Sequence, residues 1–511
     1  MFVKIHSAAV LGLDCIPVGA EVDIAGSWPG FQIVGLADTA IQEAKERIRT
    51  AWKNSALSFP SNSRIVINLA PADVRKVGSA YDLPMAVGMY LASEKKEVSL
   101  TDALFVGELA LDGTLRHTNG ILPLAIFARD HGYTRLFVPA VNAPEASIIK
   151  ELTVYPVSSL RELIAHINDE QYIPPQPYAT PETWLHPAPT SLDMAHIKGH
   201  AFVKRALEIA ASGAHNILLS GPPGSGKTLL ARTLPSILPR MSVEEAIEVT
   251  KIFSVAGLLP TDTPLLTERP FRSPHHTASG AALVGGGKFP RPGEISLAHR
   301  GVLFLDEFPE FPRTVLENLR QPLEDGVVTI SRAQGTLTFP ASFTLVASKN
   351  PCPCGYASDP DHPCHCSPIH VARYQKKISG PLLDRIDLHV EVPRVSFEKL
   401  TKESLEESSA HIRERVEMAR QKQRERFAGT PCATNSEMKS GDIKQYCALN
   451  NESTAILQQA VSHMHLSARS FHRVLKLART IADLDGRDTI DTQHIAEALH
   501  YRPASHSYSN L

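Results

Sequence analysis

The hydrophobic and polar positions divide the chain into three stretches of different periodicity. In the first, the apolar runs 65–69 and 104–109 predict strands, and residues 41–53 have the spacing of an amphipathic helix. The middle stretch alternates strand and helix patterns, as α/β sheets do. The last stretch is helical, with a charged helix predicted over 411–427 and an amphipathic helix over 467–485. The pattern predicts a multi-domain α/β protein with a helical C-terminal part.

Proline marks the clearest boundary. Six prolines lie within residues 171–190, a density that regular helix and central strand exclude. We therefore expect a first domain over 1–170, a Pro-rich linker over 171–190, an α/β core over 191–397 and a helical domain over 398–511.

Composition narrows the possible partners only slightly. The 511 residues are 43% hydrophobic and 21% charged with a net charge of −2, so a nucleic-acid surface would have to be local. Seven cysteines, four of them within residues 352–366, are not a disulfide framework and indicate a reducing compartment. We find no convincing signal peptide and no membrane-spanning run. The expectation is a soluble cytoplasmic protein without a membrane partner.

The strongest chemical signal is a phosphate-binding loop of the pattern G-x-x-x-x-G-K-[ST], which follows an apolar strand and precedes a helix. Its glycines let backbone N–H groups surround a phosphate, and the helix N-terminus favours negative charge. The motif predicts that Lys227 contacts the β- and γ-phosphates of a nucleotide such as ATP and that Thr228 binds Mg²⁺. The alternative is a glycine turn without a ligand. The loop consists of Gly221, Pro222, Pro223, Gly224, Ser225, Gly226, Lys227 and Thr228.

A second apolar strand, over 301–307, ends in two carboxylates. We expect Asp306 to hold Mg²⁺ through water, and Glu307 to orient or deprotonate the attacking water. The alternative is a buried strand that ends in a capping Asp-Glu pair.

Polar residues after the next elements complete the nucleotide pattern. Asn350 follows the apolar strand 343–348, at the sensor-1 position of AAA+ ATPases, where it would hold the attacking water; a turn cap is the alternative. Arg385 is predicted to be an arginine finger that enters a neighbouring subunit's site. Its alternative is an ion pair with Asp384 or Asp387.

Two arginines one helical turn apart, Arg469 and Arg473, lie on the last amphipathic helix. We expect one of them to reach the γ-phosphate as sensor 2 does, and the context of Arg469 favours that residue. Because Arg479 follows on the same helix, a solvated basic face is the alternative. Five nucleotide elements in this order are typical of AAA+ ATPases, and an arginine finger implies an oligomer, by default a closed ring.

Longer segments identify a family. Residues 271–277, 285–287, 292–299 and 378–388 resemble the ComM/YifB family of magnesium-chelatase-like AAA+ ATPases, and the resemblance covers essentially the whole chain. It implies a homo-hexameric, ATP-driven DNA motor that promotes branch migration on single-stranded and branched DNA. Heteroduplex extension in natural transformation, alongside a RecA-type recombinase, is the implied setting. The implied folds are a Lon-protease-like N-terminal domain (ribosomal S5-like α+β), an AAA+ P-loop core and a helical lid.

The N-terminal domain departs from a working Lon-type peptidase, which needs a serine nucleophile and a lysine base. In the resembled pattern Ala80 stands at the serine position and Leu124 at the lysine position. We therefore expect a protease-like fold without the dyad, kept as a structural, ring-forming or DNA-contacting domain. Ser79, one residue away, keeps residual peptidase chemistry as the alternative.

Four cysteines form two close pairs on a loop between Asn350 and Arg385, and such a set suits tetrahedral Zn²⁺. A metal would stabilise a loop that is otherwise long and unsupported. The C-x-C spacing is tighter than the usual C-x₂-C, His362 and His365 are alternative ligands, and reduced thiols without metal are the alternative. The cysteines are Cys352, Cys354, Cys364 and Cys366.

Two insertions carry the candidate DNA contacts, because following a single strand needs basic groups for the backbone and flat groups for the bases. The first insertion holds Arg272, His275, His276 and Lys288. The second, 326–339, predicts a hairpin with Arg332 near its tip. In the resembled family such inserts face the ring's pore; packing between the inserts is the alternative.

Three functions follow, in descending order. The first is the branch-migration motor. The second is a chelatase-type remodeller that uses ATP on a protein partner, and binding of fluorescent single-stranded DNA would distinguish the two. The third is an ATP-dependent peptidase that uses Ser79.

Overall fold

The computed structural model describes the chain except residues 27, 36–37, 74–75, 77, 185–191, 262, 288–289, 333–334, 360, 396–397, 399–405, 465 and 503–511, and only the backbone at 39–40, 332 and 335. These residues form two compact units. Unit 1 comprises Met1–His186 and Ser242–Thr267, and unit 2 comprises Pro187–Met241 and Glu268–Leu511. Among the described helices, none is long and apolar enough to cross a membrane.

The described strands and helices alternate through most of the chain and become purely helical after residue 400. The strands are β1 (Phe2–Leu11), β2 (Asp14–Ala25), β3 (Gly30–Val34), β4 (Arg64–Ala70), β5 (Ala103–Phe105), β6 (Glu108–Leu109), β7 (Leu115–Arg116), β8 (Arg135–Pro139), β9 (Thr153–Val157), β10 (Ile217–Ser220), β11 (Phe271–Arg272), β12 (Gly285–Gly286), β13 (Arg291–Pro292), β14 (Val302–Leu305), β15 (Val327–Arg332), β16 (Gly335–Pro340), β17 (Thr344–Lys349) and β18 (Leu388–Glu391). The helices are α1 (Thr39–Asn54), α2 (Asp82–Glu94), α3 (Ile121–Asp130), α4 (Ala143–Ala146), α5 (Leu160–Ile167), α6 (Ala201–Gly213), α7 (Lys227–Thr233), α8 (Val243–Ala256), α9 (Gly280–Val284), α10 (Glu294–Leu297), α11 (Arg313–Glu317), α12 (Pro322–Asp325), α13 (Pro368–Gln375), α14 (Gly380–Leu383), α15 (Ser409–Arg426), α16 (Ser440–Tyr446), α17 (Asn451–Met464), α18 (Ala468–Leu484) and α19 (Thr492–His500).

Unit 1 is built on a mixed seven-stranded sheet of order β3-β4-β2-β1-β5-β8-β9. β2 runs antiparallel to both of its neighbours, β1 and β4, and the remaining pairs are parallel. Helix α2 packs on β1 and β2 and is buried from Asp82 to Ala92, as its nearly uniform apolar sequence requires. The sequence predicted α1 and β4 correctly.

One predicted strand is divided in the structure. Residues 104–109 form β5 and β6 rather than one strand, because the chain turns away at Gly107. The carbonyl of Gly107 accepts a hydrogen bond from the N–H of Leu83 at 3.0 Å. A side chain at residue 107 would collide with Leu115, since a Cβ there would lie 2.8 Å from Leu115 Cδ2. This close packing depends on residues distant in sequence, so the apolar run alone did not reveal it.

Residues 242–267 pack in unit 1, whereas the sequence assigned them to the α/β core. A capping box of Ser242 and Glu245 begins α8, and α8 packs on α3. The buried carboxylate of Glu145 accepts hydrogen bonds from the backbone N–H of Leu122 at 2.9 Å and from the hydroxyl of Ser254. Burial raises the pKa of Glu145, and these hydrogen bonds oppose that rise. Residues 242–267 are therefore held in unit 1 by a buried polar contact that no local sequence pattern predicts.

Unit 2 contains a parallel five-stranded sheet of order β11-β14-β17-β10-β18. The C-terminal helices share one hydrophobic core with this sheet, and both α15 and α18 pack on α6. The helical domain predicted over 398–511 is thus helical, but it belongs to the same compact unit as the sheet. The hairpin predicted over 326–339 is present as β15 and β16.

Replacing Glu145 by alanine tests the bond between α8 and the first sheet. The variant leaves the N–H of Leu122 buried without its carboxylate partner, so we expect unfolding of unit 1 to require about 1–3 kcal/mol less free energy. The three tryptophans of the chain, Trp28, Trp52 and Trp184, all lie in unit 1, so tryptophan fluorescence during urea unfolding reports on this unit. Exposed Glu151→Ala is the control; equal midpoints for the two variants would contradict the assignment.

Candidate functional site

The phosphate loop follows β10 and ends where α7 begins at Lys227. The N–H of Gly221 donates to the carbonyl of Lys349 at 3.2 Å, which fastens the start of the loop to β17. A Cβ on Gly221 would collide with the carbonyl of Val392, so no other residue fits there. Gly224 and Gly226 have φ of +75° and +85°, which side-chain-bearing residues rarely adopt. The loop geometry requires its glycines.

Lys227 is buried beneath this loop. Its Nζ donates to the carbonyls of Gly221 and Pro222 at 2.7 and 2.8 Å and to Oδ1 of Asn350 at 3.2 Å. Burial lowers its pKa, and the charge of Asp306 opposes that shift. The buried hydroxyl of Ser225 has no hydrogen-bond partner within the described part of the chain. An ammonium group, an unpaired hydroxyl and a helix N-terminus at one point fit a bound phosphate.

An oxygen cluster lies beside the loop. Oγ1 of Thr228 donates to Oδ2 of Asp306 at 2.8 Å, and the hydroxyl of Ser348 donates to the other carboxylate oxygen. Hydroxyl and carboxylate oxygens are the ligands that Mg²⁺ prefers. The sequence predicted Thr228 and Asp306 but missed Ser348. Ser348 is on β17, two residues before Asn350. Because strand side chains on one face recur every second residue, this spacing was the available signal that Ser348 lies near Asn350.

Glu307 has a left-handed backbone, with φ of 51°. Its N–H is held by Oδ1 of Asp306 at 3.0 Å and by the hydroxyl of Ser348 at 3.2 Å. Non-glycine residues in this region carry strain that persists only where surrounding contacts enforce it, and such residues cluster at functional sites. The carboxylate is exposed and lies 3.4 Å from Nδ1 of His276. The sequence had selected His276 only as a DNA contact.

Arg385 and Arg469 converge on one carboxylate, that of Glu324. Nη2 of Arg385 binds one oxygen, and Nη2 of Arg469 lies 3.4 Å from the other. The carbonyl of Arg385 accepts a hydrogen bond from Asn216, directly before β10. Because the phosphate loop follows the opposite end of β10, the structure does not bring these arginines to the loop of their own subunit. The sequence offered Asp384 or Asp387 as the ion-pair partner of Arg385. The partner in the structure is Glu324, which the sequence did not reveal.

Arg473 is committed to Asp387, with Nη1 2.7 Å from Oδ1. Burial alone would raise the pKa of Asp387, but the charge of Arg473 and the hydrogen bond from His215 hold it below its usual value. Of the two lid arginines, Arg469 is the exposed one and Arg473 is largely buried.

The four clustered cysteines come together. Their sulfur atoms lie within 4.8 Å of one another, with 3.3 Å between Cys352 and Cys354 and 3.6 Å from each of these to Cys364. Tetrahedral zinc with Zn–S bonds of about 2.3 Å needs sulfurs about 3.8 Å apart, so the set fits that metal. A backbone hydrogen bond from Tyr356 and the thiol of Cys352 lower the pKa of Cys354, whereas hydrogen bonds from its neighbours in the cluster raise the pKa of Cys364 and Cys366. His362 instead stacks on Tyr356.

The candidate DNA residues are only partly described. Arg272 forms a bidentate ion pair with Glu294, at 2.6 and 2.8 Å. His275 and His276 lie side by side, with ring centroids 4.1 Å apart. Lys288 lies outside the described residues, and of Arg332, at the end of β15, only the backbone is described.

The residues around the expected dyad positions have other partners. The hydroxyl of Ser79 donates to the carboxylate of Glu108, and Nζ of Lys76 donates to the carbonyl of Pro71. Leu124 is buried in α3. The described residues here bring no lysine to Ser79.

Three family models match the chain. "Magnesium chelatase, subunit ChlI" matches residues 193–400, "Subunit ChlI of Mg-chelatase" matches 20–142, and "Magnesium chelatase, subunit ChlI C-terminal" matches 406–502. The central match contains the phosphate loop, the carboxylate pair and the cysteine cluster.

Relatives match over almost the full length. Competence protein ComM of Haemophilus influenzae is 42% identical over 503 residues, covering 98% of this chain and 97% of the relative. YifB of Escherichia coli is 41% identical over 502 residues, covering 98% and 96%. The magnesium-chelatase 38 kDa subunit of Cereibacter sphaeroides is 27% identical over 172 residues, covering 30% and 51%. The chain belongs to the ComM/YifB family of magnesium-chelatase-like AAA+ proteins.

Proposed function

We propose that this protein is an ATP-dependent DNA motor that promotes branch migration, and so heteroduplex extension, during homologous recombination in natural transformation. The observation that carries the proposal is the convergence of Lys227, Thr228, Asp306, Glu307 and Asn350 on one loop. The 42% identity to a competence protein supports the setting in natural transformation. We place this activity in the cytoplasm.

The nucleotide site divides its work among these residues. ATP with Mg²⁺ supplies the phosphoryl group whose hydrolysis drives the motor. The loop N–H groups and Lys227 bind the phosphates, and Thr228 and Asp306 hold the metal. Glu307 orients and deprotonates the attacking water, aided by Asn350. Ser348 positions Asp306 and Glu307, because its hydroxyl donates to the carboxylate of Asp306 and accepts from the N–H of Glu307.

The arginines support a ring of subunits, which we take to be a hexamer. Arg385 and Arg469 lie away from their own phosphate loop, so we assign them to the nucleotide of a neighbour. Arg469 is exposed, whereas Arg385 is largely buried and would have to release Glu324. In this proposal Arg385 is the arginine finger and Arg469 is sensor 2. Arg473 contributes by fixing α18 to Asp387 at the base of β18.

DNA contacts are assigned to the two inserts. Single-stranded and branched DNA would meet Arg332 at the hairpin and the His275–His276 pair, while Arg272 is held by Glu294. Lys288 stays a candidate from the sequence alone. His276 reaches Glu307, which would let the same insert influence hydrolysis. A RecA-type recombinase is the proposed partner on the exchanged strand.

The second candidate is an ATP-driven remodeller of a protein partner. It is favoured by the match to magnesium-chelatase subunits over the α/β core. Net charge of −2 gives no global attraction for DNA, which is compatible with this alternative.

For the N-terminal domain we propose a Lon-protease-like fold without peptidase activity. Ala80 and Leu124 at the dyad positions, and the pairing of Ser79 with Glu108, support this assignment. An ATP-dependent peptidase is therefore disfavoured.

We further propose that Cys352, Cys354, Cys364 and Cys366 hold a structural Zn²⁺. The sulfur separations and the enclosed position of Cys352 support a closed four-thiolate site.

Replacing Glu307 by glutamine tests the catalytic assignment. The amide keeps the shape of the side chain but accepts no proton, so we expect ATP to bind normally and hydrolysis to fall by about 10²–10⁴-fold. Binding is measured with a fluorescent ATP analogue and hydrolysis by phosphate release. Glu310→Gln, a nearby carboxylate paired with Lys377, is the control and should retain activity. Normal turnover in the Glu307 variant would contradict its role.

A three-strand junction with a labelled strand tests the motor. We expect ATP to drive strand displacement, single-stranded DNA to stimulate hydrolysis, and Glu307→Gln to abolish movement. Arg332→Ala should weaken single-stranded DNA binding and reduce the dependence of binding on salt, because one phosphate contact is lost. Absence of DNA binding in the presence of an ATP analogue would favour the protein remodeller.

Metal analysis tests the cysteine cluster. We expect about one zinc per chain in the purified protein, because four thiolates form a complete tetrahedral site. Changing all four cysteines to serine should remove the metal and lower the unfolding temperature. A Cys15→Ala/Cys432→Ala variant, which leaves the cluster intact, should keep the zinc. Zinc-free native protein would refute the proposal.

A further inference from the structure

The first turn of the cysteine loop lies directly against the phosphate loop. Gly355 has φ of +88°, and a Cβ on it would lie 2.5 Å from Cδ and 2.7 Å from Cγ of Pro223. Real Cβ atoms do not approach that closely, and the proline ring is too rigid to turn aside. Gly355 is therefore the residue that allows this turn to touch the loop.

The same turn is continuous with Asn350. Cys352 follows Asn350 by two residues and is fully buried, and the N–H of Gly355 donates to the carbonyl of Cys352 at 3.0 Å. Asn350 in turn accepts from Lys227 at 3.2 Å. A shift of the turn would therefore move both Asn350 and the contact with Pro223.

The end of the cysteine loop returns to the same place. Helix α13, which follows Cys366, carries the buried Tyr374. Burial raises the pKa of Tyr374 to about 12, and a backbone hydrogen bond with Asn350 opposes that rise. Tyr374 therefore lies near Asn350, the residue from which the chain enters the cysteine loop.

We propose that the turn Cys352–Gly355 is a positioning element for the nucleotide site. Gly355 determines the positions of Pro223 and Asn350, and a metal on the four cysteines fixes the turn. The metal then governs ATP turnover without touching the nucleotide. This inference rests on the proposed ATP and zinc sites, and it adds that the two are mechanically one unit.

Gly355→Ala tests the contact while leaving every thiol in place. Because a displacement of about 1 Å at a catalytic group can cost up to about 10²-fold, we expect kcat for ATP to fall by about 10–10²-fold, with the zinc content unchanged. The affinity for a fluorescent ATP analogue should fall by about 10-fold through the displaced loop. Gly429→Ala is the matched control, since Gly429 has φ of +77° and no atom near its Cβ. It carries the same backbone strain without the collision and should behave as the native protein.

The double variant Gly355→Ala/Pro223→Ala separates positioning from general damage. Removing the ring relieves the collision, so the double variant should recover at least part of the lost turnover. Native turnover and native nucleotide affinity in Gly355→Ala would overturn the proposal, as would equal losses in Gly429→Ala.

Removing zinc with a chelator tests whether the metal controls ATP turnover. Stripping zinc from the native protein should lower turnover to about the level of Gly355→Ala, and stripping that variant should lower it little further. If stripping leaves native turnover and nucleotide affinity unchanged, the metal does not govern the site. Zinc-free native protein would refute the zinc site and the metal's part in this proposal. The comparison of Gly355→Ala with Gly429→Ala would still test the contact with Pro223, because it needs no metal. Protein that hydrolyses no ATP would refute the proposed function. The affinity for the nucleotide analogue would still test the contact of Gly355 with Pro223.

Discussion

The pairing of β17 between β10 and β14 is the constraint on which the nucleotide site depends. Ser220 pairs with Lys349, and Leu305 pairs with Ala347, so the carboxyl ends of all three strands meet at one edge. Lys227, Asp306 and Asn350 come together because each follows one of these strands by a few residues. Strand side chains alternate between faces, so a slip of one residue would turn Ser348 and its neighbours away from Asp306.

This dependence explains how much of the site could be predicted from the sequence. Residues 221–228, Asp306, Glu307 and Asn350 belong to segments whose strand-then-loop pattern is local, and in the structure hydrogen bonds join Lys227 to Asn350 and Thr228 to Asp306. Ser348 and Glu324 were missed because a lone serine or glutamate carries no local pattern. Their roles come from neighbours 42 and 61 residues away, respectively Asp306 and Arg385. The placement of 242–267 in unit 1 was missed for the same reason, since the contact of Ser254 with Glu145 spans 109 residues.

The charged helix α15 shows how the same limit applies to surfaces. A run of cations on a helix is usually a solvated face, yet Arg415 binds Glu208 and Arg426 binds Asp483. Asp483 is fully buried and also contacts Arg479, so these charges fasten α15 to α6 and α18. The density of charge was visible in the sequence, but whether it faced water or a partner depended on the packing of three helices. This network joins α15 to α6 and α18, and apolar residues of all three helices lie in the core that they share with the sheet.

The two ends of the parallel sheet carry different groups of the proposed nucleotide chemistry. The carboxyl end carries groups that bind and cleave a phosphoryl group, and the amino end carries Arg385 and Arg469 around Glu324. Four residues of β10 span about 13 Å, and this length separates the two ends of the sheet. In the proposed function, these arginines at the amino end would serve the nucleotide of another copy that presents its carboxyl end to them. Since each copy has both ends, such a contact would repeat head to tail, and the ring that we propose forms where the rotation between copies closes.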